Sequence, residues 1–180
     1  KEGYLWIFSS SHGTARPSYI HRSTRPYEID TFERILTTNF SYTQPWYFPE
    51  HGFCFLHTLY NRGRGLFWRT SKDGQSWEKP KPLAKIAQGN YQISWRKGSQ
   101  LGTAFDYHPP KLGLNARTNL YYLQSDDAGT TWTTITGEKV DWSGQWSTRM
   151  VHGSMDWQRM ATPTVHDVRS QLRSWLSDHR

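Results

Sequence analysis

The fold of this chain is indicated most clearly by the stretch SDDAGTTW at residues 125–132. It follows an aromatic and aliphatic run, LYYLQ at 120–124, and its composition is that of a tight turn between two strands. In such a turn the Asp127 carboxylate accepts backbone N–H groups, and Gly129 takes a backbone conformation that is closed to other residues. Trp132 then anchors the turn on the sheet. We predict a structural turn here and expect no chemistry from Asp127.

The same pattern recurs earlier in the chain. A turn that is one residue shorter, SKDGQSW, occupies residues 71–77, and its Trp77 lies 55 residues before Trp132. A weaker version keeps only Ser23 and Phe32. Each turn follows a short aromatic and aliphatic run, at 19–23, 66–71 and 120–125. Recurrence at this spacing is typical of a repeat architecture.

Four strands fit into each full repeat. The predicted strands are 4–9, 19–23 and 32–37 in the first unit, 42–48, 52–58, 66–71 and 77–85 in the second, and 91–95, 101–107, 120–125 and 132–139 in the third. Four strands in about 45–55 residues are the period of a β-propeller blade. A two-sheet sandwich does not explain the threefold recurrence. We therefore predict an all-β fold, a β-propeller fragment of about three four-stranded blades, of which the first lacks its opening strand.

The repeat also predicts how the chain is divided. The blades cover approximately 1–38, 40–86 and 89–140, and the start of a further blade covers 141–162. Residues 163–180 depart from the pattern because their apolar positions have a helix-like spacing. They form either a short helix that caps the open edge or a non-native tail that follows a truncation, and we favour the tail. The chain begins at Lys1 and shows no targeting segment, so we expect a fragment of a longer protein.

Composition restricts the class of protein. The chain has 180 residues, a formal net charge of +7, 35% hydrophobic residues and 16% aromatic residues, ten of them tryptophan. Large rings bury enough area to favour an ordered domain, and no apolar run reaches the roughly 18 residues needed to span a membrane. The basic residues are spread along the chain, so we expect an anionic ligand and no nucleic acid. The lone Cys54 is predicted to be a buried thiol.

A family resemblance agrees with the repeat. The turn at 125–132 reads S-x-D-x-G-x-T-W, which resembles the Asp-box of sialidase-type propellers. Over approximately residues 3–140 the sequence is similar to the bacterial-neuraminidase-repeat family. The stretches that carry the similarity are GYLWIFSSSHG at 3–13, PWY at 45–47, GNYQ at 89–92 and ARTNLYY at 116–122. The resemblance implies a carbohydrate-active propeller, in some members similar to ulvan-type polysaccharide lyases, and a secreted or periplasmic location.

The candidate site residues are expected on the face opposite the Asp-box turns. In a four-stranded blade, the loops between the second and third strands and the connections between blades meet on that face, and loops held by a rigid scaffold commonly carry binding sites. The predicted catalytic residues are His12, Tyr91 and Arg117, of which His12 and Arg117 match family positions most closely. The predicted substrate-binding residues are Tyr42, His57, Tyr60, Arg62, Tyr107 and His108.

These residue types fit β-elimination from an anionic, uronic-acid polysaccharide. A base takes the C5 proton, an acid protonates the leaving oxygen, and a cation stabilises the carboxylate as charge develops. His or Tyr can serve as base and acid, and Arg can bind a carboxylate through two hydrogen bonds. Which of His12 and Tyr91 is the base stays open, because their relative pKa values depend on burial. His51, on the Asp-box face, is expected to be replaceable.

Other functions stay open at this point. A non-catalytic glycan-binding propeller would stack its aromatic rings on sugars, and a scaffold for protein partners would use Trp142, Trp146 and Trp157. A sialidase-like glycoside hydrolase would need further acidic residues, but only Asp106 and Asp141 fall on the predicted face, which favours the lyase. Because no spacing such as C-x-x-C or H-E-x-x-H occurs, we expect no metal and no cofactor.

Overall fold

The computed structural model describes residues 1–60, 64–84, 89–108, 113, 116 and 118–140. All of them belong to one compact unit, Lys1–Trp142. Several predictions fall outside the described residues: the blade start at 141–162, the tail at 163–180, and the side chains of Arg62, Arg117, Asp141, Trp142, Trp146 and Trp157. Within the described ranges, no helix is long and apolar enough to cross a membrane.

Ten strands form three antiparallel sheets in the described part of the chain. The strands are β1 (Trp6–Ser9), β2 (Ser18–Ser23), β3 (Phe32–Thr38), β4 (Ser41–Phe48), β5 (Gly52–Tyr60), β6 (Arg64–Ser71), β7 (Lys81–Ala84), β8 (Gly89–Lys97), β9 (Gln100–Tyr107) and β10 (Thr118–Ser125). The sheets have the orders β1–β2–β3, β4–β5–β6–β7 and β8–β9–β10. Each is a meander, in which consecutive strands are neighbours. The predicted all-β architecture of successive antiparallel sheets is confirmed.

The first sheet has three strands, as the sequence predicts, whereas the fourth strand of the second sheet is shorter than predicted. That strand, β7, covers Lys81–Ala84 instead of 77–85. Pro80 stands directly before it, and a proline has no N–H to donate to a neighbouring strand. Before this proline, the Glu78 backbone N–H donates one hydrogen bond to the Thr70 carbonyl oxygen of β6 at 3.0 Å, and continuous strand pairing with β6 begins only at Lys81.

The predicted fourth strand of the third sheet, at 132–139, is wrong. In its place Thr133 makes isolated bridges, one to Gln124 on β10 and one to Lys139. A tight turn at 134–137, closed by a backbone hydrogen bond of 3.0 Å, folds the segment back on itself. The segment therefore satisfies part of its hydrogen bonding locally, and only one of its residues pairs with the sheet.

The turns after β6 and β10 are held by their aspartates. Asp73 Oδ1 accepts hydrogen bonds from the backbone N–H groups of Ser76 and Gln75, at 2.8 and 2.7 Å. In the later turn, Asp127 Oδ1 accepts one from the Thr131 backbone at 2.8 Å. The hydrogen bond from Ser76 is the main cause that holds the pKa of Asp73 below its ordinary value. Both carboxylates are thus engaged in the structure of the turns.

The tryptophan that follows each turn packs on the preceding sheet. Trp77, after the turn of the second sheet, contacts Phe8 of the first sheet with ring centroids 5.8 Å apart. Trp132, after the turn of the third sheet, contacts Trp68 of the second sheet at 6.0 Å. Aromatic pairs of this kind contribute about 0.5–1.5 kcal/mol beyond the area that they bury. Each tryptophan therefore links its own sheet to the one before it.

A glycine reinforces the contact between the second and third sheets. Gly129 has a φ of +89°, and a Cβ there would stand 2.6 Å from the sulfur of Cys54 on β5. The position thus requires glycine both for its conformation and for lack of space. Cys54 itself is buried, as predicted, and burial raises the pKa of its thiol to about 12. The thiol is therefore an inert packing group at this contact.

Candidate functional site

The candidate site lies at one end of the sheets, where the ends of some strands lie beside the starts of their neighbours. Antiparallel pairing brings the end of β5 beside the starts of β4 and β6, and the end of β9 beside the start of β8. The loop after β1 lies at the same end, because His12 in this loop contacts Tyr42 and Tyr60. We call this the loop end. The turns at 71–77 and 125–132 lie at the opposite end of the strands, which we call the turn end.

Four predicted site residues meet at the loop end. His12 lies in the loop after β1, Tyr42 near the start of β4, Tyr60 at the end of β5 and Tyr91 near the start of β8. The Tyr60 hydroxyl is 3.4 Å from His12 Nε2, and the ring centroids of His12 and Tyr42 are 5.8 Å apart. The rings of Tyr42 and Tyr91 are also 5.8 Å apart. This His–Tyr cluster takes residues from all three sheets.

Two of the tyrosines have unusual backbone conformations. Tyr42 has a φ of +53° and Tyr91 a φ of +44°, values that bulky residues rarely adopt. Both stand at β-bulges, because the pairing register shifts between Ser41 and Gln44 and again in the corresponding part of β8. Such conformations cost about 1–3 kcal/mol each and persist only where the surroundings impose them. The bulges redirect both rings, and the rings meet in the cluster.

The pKa of the Tyr60 phenol is raised above its ordinary value. Burial raises the pKa of the Tyr60 phenol to about 12, with a further contribution from a hydrogen bond with Tyr42, while the Arg64 charge acts in the opposite direction. At neutral pH the hydroxyl is therefore protonated and can donate a hydrogen bond. Arg64 was not among the predicted site residues. Its place at the start of β6, beside the end of β5, could have been inferred from the predicted hairpin.

A cleft of about 500 Å³ borders the cluster on the side of His12. It is lined by residues 9–12, 15–17 and 19, which include three consecutive serines and Arg16. Hydroxyl groups and a guanidinium are suited to hydrogen bonding with sugar hydroxyls and acidic groups. His12 therefore stands between an aromatic cluster and an open cleft that carries hydroxyl and guanidinium groups.

His57 lies away from this cluster, in the core. It is 0% exposed, with ring contacts to Phe55 at 4.7 Å, Phe67 at 6.1 Å and Phe40 at 6.3 Å. Burial lowers the pKa of His57 to about 3, and the nearby Phe55 backbone acts in the opposite direction. Neither ring nitrogen has a well-formed hydrogen bond within the described residues. We therefore leave His57 out of the proposed site.

Acidification is expected to destabilise the protein through His57. The unfolded chain binds a proton at His57 with a pKa of about 6.5, whereas the folded protein does so only near a pKa of about 3. The contribution of His57 to stability is thus fully present above its pKa in the unfolded state, and it is lost as the pH falls towards its pKa in the folded state. Between about pH 7 and about pH 5, His57 alone lowers the free energy of unfolding by about 2 kcal/mol.

Urea unfolding at a series of pH values measures this effect. The variant His57→Leu should lose stability less steeply on acidification than the wild type. The matched variant His51→Leu, at an exposed position in the turn between β4 and β5, should keep the wild-type slope. Equal slopes for His57→Leu and the wild type would contradict the assignment.

The remaining predicted residues are only partly described. Tyr107 ends β9, where it pairs with Gly89 on β8, and His108 follows it as a buried residue. Arg62 and Arg117 lie outside the described residues. In the described ranges, no group of three or more His, Cys, Asp or Glu side chains could hold a metal ion.

The fold is a propeller-like all-β architecture that this chain shares with solved structures. One similar structure is that of a polysaccharide lyase, the PL25 ulvan lyase, bound to -[GlcA(1-4)Rha3S]-. Its TM-score is 0.65, at 18% identity over 78% of this chain and 40% of that chain. A second structure of the PL25 ulvan lyase gives 0.64 at the same identity and coverage. A structure named glycoside hydrolase gives 0.47 at 13% identity, over 81% of this chain and 50% of that chain.

The two ulvan lyase structures establish the fold. The likeness to the ulvan lyase confirms the prediction of a partial propeller, and this chain spans 40% of the length of the ulvan lyase chains. No protein-family model and no curated protein matches the sequence.

Proposed function

We propose that this chain is part of a carbohydrate-active β-propeller that cleaves an anionic, uronic-acid polysaccharide by β-elimination. The observation that carries the proposal is the His–Tyr cluster, in which one imidazole and three phenols from three sheets meet at the loop end. The fold shared with an ulvan lyase that was solved with a glucuronic acid-containing ligand supports it. The substrate is thus proposed to be of the same anionic class.

The reaction needs one proton removed and one returned. The C5–H bond breaks, a double bond forms between C4 and C5, and the bond from C4 to the leaving oxygen breaks. His12 or Tyr91 takes the C5 proton, and the same pair protonates the leaving oxygen. Both are exposed, Tyr91 to 49%. A substrate at the loop end can therefore reach either group.

Other residues bind the substrate in this proposal. Arg117 binds the uronate carboxylate and stabilises the charge that develops on it, and Arg64 supplies a second cation beside Tyr60. Tyr60 donates a hydrogen bond, because its raised pKa keeps it protonated. The exposed ring of Tyr91, with Tyr42 beside it, offers an apolar surface for a sugar face.

The proposal also covers the type of the two turns and the location of the protein. The turns at 71–77 and 125–132 are Asp-boxes of a neuraminidase-type repeat, supported by the aspartate hydrogen bonds at both turns. The protein is secreted or periplasmic, where a polysaccharide substrate would be met. Neither assignment alters the chemistry of the cluster.

The direct test is incubation of the protein with ulvan and with other uronic-acid polymers. Growth of the ultraviolet absorbance of unsaturated uronate ends is the expected result, and a neutral polysaccharide of similar length is the control substrate. New reducing ends without that absorbance would identify a hydrolase instead. Binding in titration calorimetry without any product would identify a glycan-binding module, and neither binding nor product would refute the proposal.

A further inference from the structure

A chain of hydrogen bonds ties the opening strands of the second and third sheets together beside the cluster. Gln44 Nε2, on β4, donates to the backbone carbonyl oxygen of Gln92 on β8. Ser94 Oγ donates to Gln44 Oε1 at 2.6 Å, and Trp46 Nε1 donates to Ser94 Oγ at 2.8 Å. Side chains from both strands thus form one connected network.

The network leaves one orientation for the Gln44 amide. An indole N–H can only donate, so Trp46 makes Ser94 Oγ an acceptor and leaves the serine proton free for Gln44 Oε1. With its oxygen engaged there, Gln44 presents its NH₂ group to the Gln92 carbonyl. The contact between the two strands is therefore directional, and an apolar side chain of similar size could not reproduce it.

The carbonyl that Gln44 holds belongs to the bulge that presents Tyr91. Gln92 directly follows Tyr91, and the register shift of β8 falls between Asn90 and Ile93. Tyr91 is in the left-handed region of backbone space, so the bulge must be fixed by its surroundings. Gln44 supplies such a restraint from the neighbouring strand, close to Tyr42, which the Tyr91 ring contacts.

We infer that Gln44 is a positioning residue, which fixes the bulge of β8 and thereby holds the Tyr91 ring against Tyr42 in the His–Tyr cluster. This role rests on the proposed function, in which Tyr91 contacts the substrate. Gln44 itself acts through the Gln92 carbonyl and not on the sugar. Its loss lowers the fraction of molecules with Tyr91 in the binding arrangement, and apparent affinity falls by the same factor.

The repeat supports a specific role for this glutamine. The opening strands align as Tyr42-Thr43-Gln44-Pro45-Trp46 and Tyr91-Gln92-Ile93-Ser94-Trp95. The tyrosine and tryptophan recur, whereas the position of Gln44 is taken by Ile93, which is 68% exposed. Packing of the strand alone therefore does not require an amide at this position. The Gln44 amide instead forms a hydrogen bond to the bulge of the neighbouring strand β8.

Two substitutions test the inference. Gln44→Leu removes the donor, and we expect about tenfold weaker binding of a glucuronic acid-containing oligosaccharide at every pH. Gln44→Glu keeps the shape but faces the Gln92 carbonyl with a carboxylate, which cannot donate until it is protonated. Its affinity relative to the wild type should therefore recover as the pH falls from about 6 towards about 4, the range in which a glutamate carboxyl takes up its proton. A purely structural role would give no such recovery.

A second readout needs no ligand. Nuclear Overhauser contacts between the Tyr42 and Tyr91 rings in the free protein should be present in the wild type and lost in Gln44→Leu. Gln100→Leu is the matched control, because Gln100 bonds Asp126 at the turn end and should change neither readout. Ser94→Ala removes the hydrogen bond to Gln44 Oε1 and should weaken the ring contacts partially. This variant replaces Gln44→Leu in the test if Gln44→Leu does not fold.

The outcomes separate the two proposals. Ring contacts that persist in both Gln44 variants, or an affinity within about twofold of the wild type in Gln44→Leu, would overturn the positioning role. If the wild type binds none of the oligosaccharides, the proposed function fails, while the ring contacts still decide whether Gln44 positions Tyr91.

Discussion

Replacing His12 with alanine is expected to reduce turnover of a uronic-acid polymer by about 10²–10⁴-fold, the range for loss of a general acid or base. His12 is exposed in the loop after β1 and lies 3.4 Å from the Tyr60 hydroxyl. Because its ring is at the surface, the substitution should leave the free energy of unfolding within about 0.5 kcal/mol of the wild type. Initial rates of unsaturated uronate formation measure the effect.

Two companion variants make this result specific. His51→Ala removes an exposed histidine at the turn end, between β4 and β5, and should leave turnover unchanged. Tyr60→Phe removes a hydrogen bond donor to the substrate and should act mainly on KM, because the raised pKa makes Tyr60 a poor base. Wild-type kcat in His12→Ala would exclude His12 from proton transfer and leave Tyr91 as the base.

The sequence was sufficient to predict three successive antiparallel sheets and the end of the strands at which the cluster forms, but not the missing fourth strand of the third sheet. The spacing of Trp77 and Trp132 predicted the repeat, and meander connectivity then assigned each loop to one end of the strands. Because antiparallel neighbours alternate in direction, this assignment follows from the strand count alone. His12, Tyr42, Tyr60 and Tyr91 were therefore expected on one face, as members of a larger set that also held His57, Arg62, Tyr107, His108 and Arg117.

Other features depend on packing that a sequence does not display. The bulges at Tyr42 and Tyr91 interrupt strands whose sequences carry no glycine or proline at the bulged residue. His57 was predicted to bind substrate, yet it is buried, because β5 is a central strand that is covered on both faces. The run GFCFLHTLY, apolar at nearly every position around His57, could have indicated this, since strands buried on both faces read as continuous apolar runs.

Replacing Trp132 with alanine is expected to lower the free energy of unfolding by about 3–5 kcal/mol. The side chain is 1% exposed, and its ring contacts Trp68 on the second sheet at 6.0 Å. Truncation would therefore open a cavity where two sheets meet and loosen the packing of the turn at 125–132 on the second sheet. Equilibrium urea unfolding, followed by far-ultraviolet circular dichroism, measures the loss.

A comparison with Trp77 separates ring burial from hydrogen bonding. Trp77 Nε1 donates to the Gly74 carbonyl oxygen at 2.7 Å, whereas Trp132 Nε1 is buried without a hydrogen-bond partner among the described residues. Trp77→Phe therefore loses about 0.5–1.5 kcal/mol with the hydrogen bond in addition to ring area. Trp132→Phe loses area but also relieves an unpaired N–H, so it should retain more stability than Trp77→Phe. A Trp132→Ala variant within about 0.5 kcal/mol of the wild type would contradict the role of this ring as the link between the sheets.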